Sequence, residues 1–277
     1  MKGAVFCYHA QNCGGEFGVT SDHEALSHNL ASVARYGLPI VSLQQIAMAL
    51  AEPDHHSLPE RFVAFSCDDG TYLDWFDYEH PQFGFQCGFA NIIRQHRDKY
   101  GLTGGDLLTS FVIASPEARA LIDDFCYGGL RLSTEDWWHE AGREGLLSIQ
   151  SHSWDHAHIA LGGMAISPDS LGEFHSVSSR SIAEQQIIQA HNYINRICMS
   201  VGHRCSLFAY PYGHSSDYLA FQFLPDVGQR AGIIGAYTTS GEFVTKETNR
   251  YRIPRLVRGE HWSLSSEFDE ILRALVV

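Results

Sequence analysis
Short apolar runs alternate along this chain with longer segments in which apolar residues recur every three or four positions. Residues 4–8, 38–41, 61–67, 107–114, 146–150, 207–210, 232–237 and 251–256 are dense in Val, Ile, Leu, Phe, Tyr and Ala, and each predicts a strand. Between them lie helix patterns. Thr20-Ser21-Asp22 reads as a helix start, and Leu26, Leu30, Val33 and Ala34 recur from there to Tyr36-Gly37. Ser42 caps a second helix, with Leu43, Ile46, Ala47 and Leu50 on one face. Helices are also expected over 90–100, closed by Gly101, from Ser115-Pro116-Glu117, from Thr134 to before Gly145, over 182–199, over 217–228 despite Pro225, and over 265–275. Residues 11–18, with Gly14-Gly15, and the polar stretch 53–59 read as loops, and the Gly/Ser-rich stretch 160–180 as a loop or lid. Strand and helix alternate throughout without a linker or a shift in composition. The pattern predicts one α/β domain over residues 1–277, with a parallel sheet wrapped by helices and closed into a complete or distorted barrel.

One stretch fits neither pattern. Residues 71–85 hold Tyr72, Trp75, Phe76, Tyr78, Phe83 and Phe85, broken by acids, His80-Pro81 and Gly84. It reads either as a loop tucked onto the core or as an aromatic wall beside a binding site. The wall is the favoured reading, because binding loops gather at strand ends and aromatic faces suit sugar rings.

Composition narrows the partners. The 277 residues are 44% apolar with a net charge of −13, which disfavours nucleic acid and anionic membranes as partners. Sixteen histidines invite metal or proton chemistry. The seven cysteines form no CxxC pair, and Cys7, Cys67 and Cys198 sit in apolar runs, so they read as reduced packing residues. No segment is apolar enough for a transmembrane span. The N-terminus lacks a signal-peptide apolar core, which makes the cytoplasm the expected location.

The candidate chemistry lies at the strand ends. Asp68 and Asp69 follow the run 61–67, and Gly70 turns the chain away. Paired acids are costly in a core, and neighbouring carboxylates can divide the work of holding a cation and handling a proton. His9, His152, Tyr212 and Arg255 fall at or near the ends of other predicted strands. In a β/α barrel all those ends open on one face, where active sites are built. His152 and His156 would share a face if 152–156 makes a helical turn. With an acid from the Asp pair they would form a mononuclear site for zinc or a similar divalent ion. His158, His175, His214 and His261 are assigned to surface or loop, and Trp137 and Trp138 to packing.

Ser66-Cys67-Asp68-Asp69-Gly70, His152-Ser153-Trp154-Asp155-His156 and Phe208-Ala209-Tyr210-Pro211-Tyr212-Gly213 resemble, in order and across about 150 residues, the first three motifs of the polysaccharide deacetylases (NodB homology, carbohydrate esterase family 4). The start, Phe6-Cys7-Tyr8-His9, is similar to the circularly permuted branch that deacetylates poly-N-acetylglucosamine. The resemblance implies a distorted (β/α)7 barrel and metal-dependent removal of acetyl from an N-acetylated sugar. It implies that Asp69, His152 and His156 hold the metal, that Asp68 is the general base, that Tyr212 offers its backbone N–H to the oxyanion, and that His9 is the general acid. Two positions depart from the family pattern. Cys67 stands where an aromatic residue is usual, and Ala209 where an arginine often orients the base; Arg255 is the candidate replacement. The expected substrate is an N-acetyl sugar that is nucleotide-linked, lipid-linked or a short oligosaccharide. The alternatives are a non-sugar amide or imide, and a catalytically inactive carbohydrate-binding barrel.

Overall fold
The computed structural model describes residues 1–14, 20–102 and 106–277. Seven strands run parallel in one sheet: β1 (Lys2–Tyr8), β2 (Arg61–Cys67), β5 (Leu108–Val112), β6 (Leu147–Ser151), β7 (Leu207–Ala209), β8 (Gly235–Tyr237) and β10 (Leu256–Val257), in the order β10-β1-β2-β5-β6-β7-β8. A short β9 (Val244–Thr245) pairs antiparallel with the start of β1. An isolated parallel bridge between Tyr237 and Ile253 sets the β8 edge against the segment that becomes β10 shortly afterwards. The sheet therefore curves round on itself, as the expected distorted (β/α)7 barrel requires. The central strands are buried along nearly their whole length, which is why they read as continuous apolar runs.

The helices form where the caps predicted them. Ser21 accepts the Glu24 N–H at the start of α1 (Asp22–Tyr36), and Gly37 closes it at φ 65°. Ser42 and Gln45 form a reciprocal capping box on α2 (Leu43–Ala51). Gly101 closes α3 (Phe89–Tyr100), Ser115 and Pro116 open α4 (Pro116–Tyr127), and Gly145 closes α5 (Trp138–Glu144). Two helical runs, 180–198 and 217–231, carry a stretch of π-helix, the second around Pro225. Trp137 and Trp138 are fully buried, as expected. The C-terminal helix Ser265–Val276 packs Phe268 against Phe6 and Trp262, with ring centroids 4.5 and 5.7 Å apart.

Some elements differ from expectation. Residues 38–41 make a single bridge, Ile40 to Val63, rather than a strand, because Pro39 has no N–H to give. Residues 71–85 are not one wall. Tyr72–Asp74 is a 3-10 turn, Leu73 and Trp75 are buried, and Tyr72, Phe76 and Tyr78 pack on the core. The end of the stretch forms an antiparallel hairpin, β3 (Tyr78–His80) with β4 (Gly84–Gln86), that leaves Phe83 and Phe85 exposed. The stretch 160–180 combines two 3-10 turns with irregular backbone and buries Leu161, Ala165, Phe174 and Val177. The loop expected over 11–18 is described only to Gly14; the remainder lies outside the described residues. Among the described residues no helix is long and apolar enough to cross a membrane.

Candidate active site
The strand ends deliver their side chains to one pocket of about 490 Å³, bordered by His9, Asp68, Asp69, His152, His156 and Tyr212. The β2 end is shaped by backbone conformation. Asp69 sits at φ 74° and Gly70 at φ 69°. A Cβ on Gly70 would lie 2.5 Å from the Val112 side chain and 2.8 Å from its Cα, so only glycine lets this turn lie against β5. The turn aims Asp68 inward and Asp69 toward the pocket.

His152 and His156 do not share a helical turn. Ser153 and His156 both take positive φ, 72° and 62°, and the chain doubles back at the end of β6. Three backbone bonds tie this turn to the end of β5: His152 N–H to Val112, Ala114 N–H to Ser153 and Ser115 N–H to Trp154. The Asp155 carboxylate holds it from behind, accepting from the Ala157 and Ile166 N–H groups and from Gln186 Nε2. The two rings still meet, with centroids 4.7 Å apart. Convergence comes from this fixed turn and not from the periodicity that the spacing suggested.

One ligand atom each from Asp69, His152 and His156 lie within 4.8 Å of one another. Asp69 Oδ1 is 3.8 Å from His152 Nε2 and 3.6 Å from His156 Nε2. His152 Nδ1 lies 2.9 Å from the Ala209 carbonyl, which can only accept, so that nitrogen carries the proton and Nε2 offers its lone pair to the pocket. Burial and the neighbouring His152 lower the His156 pKa to about 3, leaving its ring neutral at ordinary pH. Gln11 Nε2 donates to Asp69 Oδ2 at 2.5 Å, which turns Oδ1 toward the histidines. Two imidazoles and one carboxylate with open positions fit a divalent ion of the zinc class.

Asp68 lies beside this group, with Oδ2 3.6 Å from His152 Nε2. Arg255 grips both of its oxygens, Nη1 to Oδ1 at 2.6 Å and Nη2 to Oδ2 at 2.7 Å. Arg255 does not border the pocket. It is fully buried behind Asp68 and also donates to the Thr238 carbonyl and to Ser66 Oγ. Burial pushes the Asp68 carboxyl up, but the guanidinium and His152 outweigh it and hold the group below the usual carboxylate range.

His9 borders the same pocket from the end of β1. Its backbone N–H donates to Asp22 Oδ2 at 2.8 Å, and Asp22 is itself paired with buried Arg258 at 2.6 Å. Tyr212 stands at φ 58° in a turn over the pocket, its ring centroid 4.6 Å from that of His156. Gly213 follows at φ 70°, where a Cβ would lie 1.9 Å from Thr239 Oγ1.

The sequence reading missed several wall residues. His158, assigned to surface or loop, borders the pocket; its Nδ1 accepts the Ala160 N–H, and its Nε2 is 3.6 Å from Cys126 Sγ. Cys126 and Tyr127, at the end of α4, and Gln11 also form walls. The third histidine in His152-x3-His156-x-His158 was the one available signal. Cys67, the departure from the aromatic pattern, has its thiol 3.2 Å from Asp74 Oδ2. Thr71 and Ser110 also donate to the Asp74 carboxyl, and burial raises its pKa to about 7.

No protein-family model and no curated protein sequence matches the chain. Solved structures do. A deacetylase, PplD, from Streptococcus pyogenes, solved with acetate, superposes with a TM-score of 0.61 at 16% identity, covering 99% of this chain and 98% of that one. IcaB from Ammonifex degensii gives 0.65 at 14% identity, with 100% and 97% covered. A de-N-acetylase from Aggregatibacter actinomycetemcomitans gives 0.59 at 18% identity, with 97% and 100% covered. The likeness spans essentially the whole of each chain, so this protein is built on the barrel fold of the polysaccharide deacetylases.

Proposed function
We propose that the chain is a metal-dependent N-deacetylase of an amino sugar, releasing acetate and leaving a free amine. The observation that carries this reading is the grouping of Asp69, His152 and His156 around one point, with the Arg255-held carboxylate of Asp68 beside it. A divalent ion held by Asp69, His152 and His156 would supply a more acidic water and polarise the acyl oxygen. Asp68, kept ionised by Arg255, takes a proton from the attacking water. The Tyr212 backbone N–H is the group assigned to donate to the oxyanion. An amide nitrogen leaves only once protonated, and His9, at the end of β1, is the group assigned to protonate it. Gln11 and the Ala209 carbonyl keep the ligands oriented, and Arg255 keeps the base in place.

The pocket also speaks to the substrate. None of its described wall residues is Lys or Arg, while Asp68, Asp69 and Glu260 are among them. A diphosphate or nucleotide would find no lysine or arginine on these walls, so a neutral oligosaccharide suits the site better than a nucleotide-linked sugar. The test is acetate release from N-acetylglucosamine oligomers before and after chelation and re-addition of Zn²⁺. Turnover that survives complete chelation, or full activity in Asp68→Asn, rejects the reading.

A further inference from the structure
A second cavity, of about 480 Å³, adjoins the metal pocket. Gln11, Cys126 and Tyr127 wall both. Its far side is the turn of the β3–β4 hairpin, His80, Gln82 and Phe83. In a chain with a net charge of −13, none of the described walls of this cavity is Asp, Glu, Lys or Arg. What they offer is neutral: amide side chains on Gln11, Asn12 and Gln82, and the rings of Phe83 and Tyr127. The size is that of a small-molecule site, and the mix of amides and aromatic rings is one that binds uncharged amphipathic ligands.

The hairpin side is held in place. His80 Nδ1 accepts the backbone N–H groups of Gln82 and Phe83, at 3.2 and 3.3 Å. That bond pattern leaves the His80 proton on Nε2, where it can donate. The Phe83 ring lies over His80, with centroids 4.7 Å apart and planes 30° apart. The ring also lies close to Gly14, where a Cβ would come within 2.7 Å of it. Phe83 remains 40% exposed, although large apolar side chains near a core are usually covered. Gln11 links the two cavities chemically, because the side chain that walls the second one also holds metal ligand Asp69.

We propose that this cavity is a second sugar subsite, which takes the neutral neighbouring residue of an oligosaccharide whose N-acetyl group lies in the metal pocket. The sugar's apolar face stacks on Phe83, and its hydroxyls bond to the amides and to His80 Nε2. The proposal rests on the reading of the chain as a sugar deacetylase and adds a substrate requirement to it: at least two linked residues.

The experiment uses N-acetylglucosamine oligomers of one to four residues, β-1,4- and β-1,6-linked, with the Zn²⁺-loaded full chain, its Phe83→Ala and its Gln82→Ala variants. Both substitutions are at exposed positions, and thermal melting checks that each variant folds. For the wild type, kcat/KM for acetate release rises about tenfold or more from monomer to dimer, because binding energy remote from the reacting bond is used in the transition state. In both variants that ratio collapses toward one. A wild type with no length dependence, or variants that keep it in full, overturns the subsite. Binding of the tetramer is measured in parallel by saturation-transfer NMR, which needs no turnover. If no oligomer releases acetate, the deacetylase reading fails. The cavity is then judged by binding alone: a saturation-transfer signal from the tetramer that disappears in Phe83→Ala supports a sugar site there, and equal or absent binding in wild type and variant rejects it.

Discussion

At the scale of single residues, Arg255 shows what a counter-charge does. It is fully buried, and so is the carboxylate it holds. Removing one partner of such a pair leaves the other charge stranded. Arg255→Met is therefore expected to lose about 3–5 kcal/mol of stability. Asp68→Asn combined with Arg255→Met should recover part of that loss while remaining inactive; denaturant midpoints and acetate release measure the two effects. Asp74 makes the opposite case. Its folded pKa is raised to about 7, so the native chain holds a proton that the unfolded chain gives up near the ordinary carboxyl value of 3.8. Between those values the native state binds more protons, so stability falls as pH rises through the window and levels off above it. Asp74→Asn should flatten that decline, which amounts to up to a few kcal/mol between about pH 4 and 7. Urea melts at stepped pH test it. The site residues at strand ends were legible because a motif and a strand end coincide. Gln11, Cys126 and Tyr127 were not, because only the folded chain brings a β1 loop and the end of α4 to the same wall.

At the scale of elements, the helix caps were readable and the β3–β4 hairpin was not. Ser21, Ser42, Ser115 and the closing glycines act through bonds to residues close by in the chain, so local sequence contains the whole signal. The strands β3 (Tyr78-Glu79-His80) and β4 (Gly84-Phe85-Gln86) hold no apolar run, unlike the equally short β7 and β8. The aromatic run was misread because most of its rings face the core, and only the hairpin turn faces a cavity. The turn Pro211–Gly213 is the element most exposed to a single substitution. Tyr212 and Gly213 both hold positive φ, and Gly213 lies against Thr239 with no room for a methyl group. Gly213→Ala is expected to cost about 1–3 kcal/mol through backbone strain. It should also lower kcat by displacing the Tyr212 N–H. Melting temperature and steady-state kinetics give the two readouts, and a variant with normal kcat would remove Tyr212 from the mechanism.

At the scale of the molecule, the barrel is completed by residues near the C-terminus. Ile253 bridges β8, Leu256 and Val257 pair with β1, Arg258 neutralises Asp22, and Phe268 covers Phe6. A chain ended after Arg252 loses all of these at once. It is expected to show no cooperative thermal transition by circular dichroism, although most strands and helices remain encoded. The barrel was legible as an alternation of elements; how it closes was not, since β10 is two residues long and pairs with a strand about 250 positions earlier.

Asp68 and Arg255 are 187 positions apart. A ribosome makes the acidic partner long before its guanidinium. Throughout translation the nascent acid must stay hydrated, since nothing yet made can replace water around it. The ion pair therefore forms only when β10 has been made and has settled beside β1, and a chain halted before residue 255 lacks it.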